Sequence, residues 1–235
     1  MAAPFLAWSY SRLKMFKTCP GQLWHCAVAP KGDPARVEYY ESQAQRDGKE
    51  IDAALTARIS ENRPLPPKFA RHEPMCAMVV ATPGAKLTQV QVALDGAFKP
   101  VGSRDWDHVW VRAVYDLIIR QATYAFLWDW KNGKVWPDED QLRLAAAIEF
   151  MQSPEIEVID TAYVWLSHDK ISPKVYHRRE LADMWHSFLP DVERMQLAYK
   201  EKHWPYTPSE RACGYCDVNR AGKCPAAVTK YKGKA

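Results

Sequence analysis

Polar and apolar residues alternate over Leu87–Leu94, with Leu87, Gln89, Gln91 and Ala93 on one side and Thr88, Val90, Val92 and Leu94 on the other. This is the period of a strand. Val109–Ile119 and Tyr124–Trp130 are rich in β-branched and aromatic residues, and only a short polar connection separates them. The pair predicts an antiparallel hairpin, ended by Asn132-Gly133. Helical spacing governs other stretches. Ser9 is placed to cap a helix running to about Trp24, with Pro20 as an interruption. The stripe Val37, Tyr40, Ala44, Ile51, Leu55, Ile59 predicts a long helix from Ala35 to about Asn62, weakened at Gly48 and ended by Pro64, Pro66 and Pro67.

Pro137 followed by Asp138, Glu139 and Asp140 suits another helix start, continuing to Ser153-Pro154. Glu155–Leu166 returns to strand character, and Arg178–Lys202 predicts one or two helices bent at Pro190. Strands mixed with helices indicate an α/β fold. A chain of 235 residues can bury one substantial core, so 1–235 is expected to be a single domain with a helical region over about 1–70 and a Cys-rich tail over about 205–235.

Composition narrows the classes of function. No uncharged apolar run approaches the ~18 residues of a membrane span, and the first residues lack the pattern of a secretory signal, so a cytoplasmic protein with no membrane partner is expected. A net charge of +4 permits binding to a phosphate backbone without demanding it. His72-Glu73 and His168-Asp169 lack the spacing of a helical zinc protease, and no glycine-rich phosphate loop is present, so ATP hydrolysis is not expected.

The triplet Asp129-Trp130-Lys131 ends an apolar strand. Period-two geometry points Asp129 and Lys131 to one face and Trp130 to the other. If the hairpin forms, Asp116 comes near that face. Two acids and a lysine would suit phosphodiester hydrolysis, because a hard cation takes oxygen ligands and a lysine adds positive charge beside the attacking water. Taken alone, such a triplet is more often merely the polar edge of a hairpin.

Its context is more specific. Ser9-Tyr10-Ser11-Arg12-Leu13, Thr18-Cys19-Pro20, Arg112, Asp116, Asp129-Trp130-Lys131-Asn132-Gly133-Lys134 and Gln141-Leu142 together resemble the RecB-like exonucleases of the PD-(D/E)XK superfamily. The resemblance implies a restriction-endonuclease-like mixed sheet core flanked by helices. It further implies Mg2+ or Mn2+ on Asp116 and Asp129, Lys131 promoting hydrolysis, and Gln141 opening a supporting helix. Asp52 stands where that family often has a histidine ligand, Gln89 where it has a glutamate, and Ala145 where it has a tyrosine. The substrate implied is DNA, single-stranded or with free ends, in recombination, repair or replication. A helicase or recombination protein is the kind of partner implied, and a bacterial or phage gene the kind of source. Arg112 and Trp130 are candidate DNA contacts. Trp106, Trp110 and Trp128 are further stacking candidates, while Trp165 and Trp185 are expected to be packing residues. Arg178, Arg179, Lys230, Lys232 and Lys234 are candidate phosphate contacts, though such a charge run is more often a solvated face. The substituted positions leave open a weakly active or inactive DNA-binding module, or an interaction subunit, of the same fold.

Six cysteines without an export signal are expected to be reduced. Cys213, Cys216 and Cys224 lie close in sequence, and three thiols leave one ligand position to fill. In the resembling nucleases a cysteine of the first helix completes a [4Fe-4S] cluster, and Thr18-Cys19-Pro20 matches that segment. Cys19, Cys213, Cys216 and Cys224 are then the implied ligands, joining the N- and C-terminal segments at one centre. Spacing does not separate iron–sulfur from a Zn2+ site, or from unliganded thiols. Cys26 is the substitute for Cys19, and Cys26 and Cys76 otherwise read as buried thiols.

Overall fold

The structure is a computed structural model describing residues 5–38, 40–136 and 138–233. In chain order it contains α1 (Tyr10–Thr18), α2 (Pro20–Leu23), α3 (Gln43–Glu61), α4 (Glu73–Ala81), β1 (Ala85–Leu94), β2 (Pro100–Val101), β3 (Val111–Arg120), β4 (Tyr124–Lys131), α5 (Glu139–Gln152), β5 (Val158–Trp165), β6 (Lys170–His177), α6 (Leu181–His186), α7 (Leu189–Glu201), α8 (Glu210–Cys213) and α9 (Asp217–Arg220). Two compact units emerge. One is Gln43–His186, and the other combines Met1–Ser42 with Ser187–Ala235.

The larger unit is a six-stranded sheet in the order β2-β1-β3-β4-β5-β6, among the described residues. All neighbours are antiparallel except β4 and β5, which run parallel and therefore need a crossover. That crossover carries α5, where Leu142, Leu144 and Ala145 through Phe150 are all buried. The polar member of this run, Glu149, is fully buried and takes Arg120 Nε at 2.6 Å and Nη2 at 2.9 Å, with Ser153 Oγ also at 2.9 Å. A buried carboxylate persists only with such pairing. On the opposite face α3 and α4 bring Ile51, Leu55, Ile59, Cys76 and Val79 onto Leu117, Ile119, Trp130 and Val164. Gly84 turns the chain from α4 into β1 with φ +116°, and a Cβ there would meet the Arg120 carbonyl at 2.5 Å. The outer strand β6 carries Lys170, Pro173 and Lys174, which discourage pairing with another chain.

The smaller unit is built from the two ends of the chain. Gln196 in α7 accepts from Leu6 N at 2.9 Å and donates to Leu6 O at 2.8 Å, while Gly21 N donates to Pro205 O at 3.1 Å. Gly21 is obligatory there, since a Cβ would lie 2.6 Å from the Tyr206 ring.

Several expected elements are displaced. The helix expected from Ala35 begins instead at Gln43, because the preceding amides are committed elsewhere: Ala35 N to Asp33 Oδ1, Arg36 N to Asp33 O, and Val37 N to His25 O. The first helix ends at Thr18, and after α2 the chain forms a π-helical turn over Trp24–Val28. Between α6 and α7 the break falls at Ser187-Phe188. Pro190 sits in the first turn of α7, where its missing N–H costs nothing. Pro137 lies outside the described residues, and α5 begins at Glu139. Neither α4 nor β6 is among the elements expected from the sequence. Among the described residues, no helix is long and apolar enough to cross a membrane.

Candidate active site

β4 presents Asp129 and Lys131 toward α5 and sends Trp130 into the core under α3. The Lys131 ammonium lies 2.6 Å from Asp129 Oδ2. Gln141, in the first turn of α5, donates to Asp129 Oδ1 at 2.6 Å, and its own Oε1 is 3.4 Å from Lys131 Nζ. The side-chain amide thus holds acid and base in one orientation.

Asp116 arrives through a break in strand alternation. Leu117 and Ile119 pack under α3 and α4, so regular pleating would send Tyr115 there too. Instead Tyr115 is buried with its hydroxyl donating to the Ala145 carbonyl of α5 at 3.1 Å. The switch coincides with a missing rung: Thr88 pairs with Leu117 and Val90 with Tyr115, but Gln89 and Asp116 do not pair. Gln89 has φ +52°, a left-handed conformation foreign to a strand. Asp116 Oδ2 takes the Trp130 backbone N–H at 2.8 Å, so the side chain occupies a place the β3–β4 ladder would otherwise fill.

From the other side α3 brings Asp52. Gln89 Nε2 donates to both Asp52 oxygens at 2.9 Å and approaches Asp116 Oδ1 at 3.3 Å. One neutral amide therefore bridges two carboxylates. Burial, and then the neighbouring Asp116, pushes Asp52 up to about 6. Burial likewise raises Asp116 and Asp129, and in Asp129 it outweighs even the adjacent lysine. The three acids oppose one another's ionisation, which a divalent cation would relieve.

Among the described residues, no three of His, Cys, Asp and Glu are already gathered at metal-holding distances. The donor set nevertheless suits a hard cation. Three carboxylates share one field, and Asp129 Oδ2 is buried without a hydrogen bond of good geometry despite the nearby ammonium. Asp52, Gln89, Asp116, Asp129, Lys131 and Gln141 are thus drawn together. Sequence reasoning missed Tyr163. It faces Asp129 across the parallel β4–β5 pair, and its hydroxyl donates to Asp138 O at 2.6 Å and lies 3.3 Å from Gln141 Oε1. Its one signal was a tyrosine amid the aliphatic residues of β5.

Residues 35–221 match the PD-(D/E)XK nuclease superfamily. The chain belongs to this superfamily. Among solved structures, the protein is similar to one described as a "Putative exonuclease" from Eubacterium rectale, with TM-score 0.52 and 15% identity over 94% of this chain and 89% of that one. A weaker likeness is to the crystal structure of SSO0001, at TM-score 0.36 and 14% identity over 77% of this chain and 70% of that one. No curated protein matches. At 15% identity the first of these structures speaks to the fold alone, a mixed α/β architecture with a six-stranded sheet flanked by helices. Membership in this superfamily supports a nuclease, and superfamily members typically use divalent metals.

Two expected DNA contacts need correction. Trp130 is 7% exposed within the core, so its ring is closed to bases, and its part in the site is the backbone N–H that holds Asp116. Arg178 donates to the carbonyls of Ile156, Phe150 and Ser153, a structural role that occupies the guanidinium. Trp110 packs with Phe98 and Trp185. Trp106 is exposed, with the Arg112 guanidinium 5.1 Å from its ring centre. Lys234 lies outside the described residues.

In the smaller unit Cys19, Cys213, Cys216 and Cys224 all line one small cavity. Thr207 N donates to Cys19 Sγ at 3.5 Å, and the backbone N–H groups of Val218 and Asn219 point at the Cys216 sulfur. Cys26 packs beside Cys216, and burial pushes it up to about 12. Cys76 is buried in the larger unit's core.

Proposed function

We propose that the protein is a Mg2+- or Mn2+-dependent deoxyribonuclease, an exonuclease acting on single-stranded or end-containing DNA in recombination, repair or replication. The observation that carries this is the convergence of Asp52 and Asp116 at the missing rung between β1 and β3 with Asp129 and Lys131 on the neighbouring β4, within one electrostatic field. Asp116 and Asp129, with Asp52 and Gln89 beside them, would hold the cation. When bound, it would lower the pKa of a coordinated water and offset charge building on the phosphate. Lys131 then donates toward the water or the phosphate oxygen, where charge grows as the bond is made. Gln141 and the Trp130 N–H keep Asp129 and Asp116 oriented, and Tyr163 supports Gln141. The half-buried Arg112, with exposed Trp106 beside it, is the pair proposed to contact DNA.

Incubation with labelled linear DNA and Mn2+ is expected to release nucleotides. Lys131→Ala is expected to lower the rate at least ~100-fold while leaving DNA binding in place. A second reading rests on Gln89, whose amide donates to the carboxylates where a ligand should accept: the fold then binds DNA with little chemistry. Tight binding with no cleavage in either metal decides for it.

Cys19, Cys213, Cys216 and Cys224 are proposed to hold a [4Fe-4S] cluster, with Zn2+ the alternative, tying the chain ends together. Their shared cavity and the N–H groups aimed at sulfur support this. Brown protein absorbing near ~400 nm after anaerobic purification indicates iron–sulfur, and colourless protein with one zinc per chain indicates the alternative. Residues 1–235 are proposed to act as one RecB-like nuclease domain in a bacterial or phage-infected cytoplasm, alongside a helicase or recombination protein.

A further inference from the structure

A cavity of about 300 Å3 lies in the same unit as the carboxylate cluster, between the start of α3, the turn Pro67–His72 and the end of β4. Two of its lining residues, Ile51 on α3 and Asn132 just after β4, are the immediate chain neighbours of Asp52 and Lys131. Its volume is at the lower end of the ~300–1,000 Å3 range of small-molecule sites, suited to one nucleotide and too small for a duplex.

The wall contributed by the turn Pro67–His72 carries Lys68, Phe69 and Arg71. Arg71 is exposed yet fixed. Its Nη2 donates to the Leu166 carbonyl at 3.0 Å and its Nε to His72 Nε2 at 3.2 Å. The buried His72 ring accepts as a neutral imidazole, its pKa lowered by burial and by Arg71 itself. Among the described residues no carboxylate pairs with this guanidinium, and Nη1 makes no hydrogen bond. Holding a long side chain in one geometry is costly unless something uses it, and a guanidinium held in this way is prepared for a phosphate. Phe69 is half-buried against the core, with the Lys68 ammonium 5.0 Å from its ring centre, and Lys68 is tethered to Glu50 across the cavity. Both ends of that tether are more than half exposed, so it is weak and exchangeable.

We propose that this cavity is a nucleotide subsite of the nuclease, taking the residue of a single DNA strand that flanks the scissile phosphate. Arg71 holds that nucleotide's phosphate, and its base lies on Phe69 after Lys68 has left Glu50 for the strand. The proposal rests on the nuclease reading for its substrate, but its test does not require cleavage.

Binding of the full-length protein to fluorescent single-stranded oligonucleotides is measured by anisotropy in Ca2+, with an abasic site moved one position at a time along the strand. At one position the missing base is expected to weaken binding on the order of tenfold, the usual worth of one base–aromatic stack. Arg71→Ala is expected to weaken binding to intact DNA similarly, and the two losses should not add when the abasic site is at that position. Arg71→Lys, which keeps the charge without the fork, should recover only part of the loss. Lys68→Ala is the second variant should Arg71→Ala fail to fold, because Lys68 is exposed and should show the same non-additivity. The proposal is overturned if no abasic position stands out, or if the variants' losses add equally at every position. Protein that shows this signature but cleaves no DNA in Mg2+ or Mn2+ overturns the nuclease reading and leaves the subsite standing. Protein that cleaves without the signature overturns the subsite alone.

Discussion

Replacing Asp52 with asparagine should strengthen the metal-free protein while weakening its hold on metal. Asp52 is raised from 3.8 to about 6, first by burial and then by Asp116. A carboxylate raised by folding favours the folded state most when protonated, so its contribution is present below about 4 and is lost as pH climbs through about 6. At 1.36 kcal/mol per unit the loss would be about 3 kcal/mol. Because the group is only partly withdrawn from water, about half of that, ~1–2 kcal/mol, is the defensible figure. The asparagine amide would keep an acceptor for the Gln89 amide and remove the charge. In EDTA at pH 8 the Asp52→Asn variant should therefore melt above the wild type by roughly 2–8 °C for a chain of this size, and the gap should close at pH 4. Adding Mg2+ at pH 8 should raise the wild-type melting temperature more than the variant's, because ligand binding stabilises in proportion to affinity. The test is a set of thermal melts at both pH values with and without metal. A variant less stable than the wild type in EDTA at pH 8, or a gap equal at both pH values, would refute the argument from crowded carboxylates.

Gln89→Glu replaces the bridging donor with a fourth acid. It should tighten Mn2+ binding on the order of tenfold, measured by calorimetry, and destabilise the metal-free protein; weaker Mn2+ binding by the variant would show that the amide itself is the preferred ligand. Leu55→Ala, in the fully buried seam between α3 and the sheet, should cost about 2–5 kcal/mol in urea titration.

Much of this architecture can be read from residue order, because local rules govern it. The period-two runs place β1, β3 and β4, and the alternation in β4 alone puts Asp129 and Lys131 together with Trp130 facing away. Cysteine spacing marks the tail as the place to look for a shared centre. The helix start at Gln43 was not legible, since the bond that diverts Val37 comes from His25, outside any local window. Nor was the position of Asp52, which meets Gln89 across 37 residues. What tertiary structure decided is the broken rung. Simple alternation puts Leu117 and Tyr115 on one face, and only the pairing of β3 against a left-handed Gln89 and against the Trp130 N–H lets one pack under α3 while the other reaches α5. A backbone that changes faces at a single residue leaves no trace in hydrophobic periodicity, yet it is at that change that Asp116, already on the Asp129 side, takes the Trp130 N–H and meets the Gln89 amide that links it to Asp52.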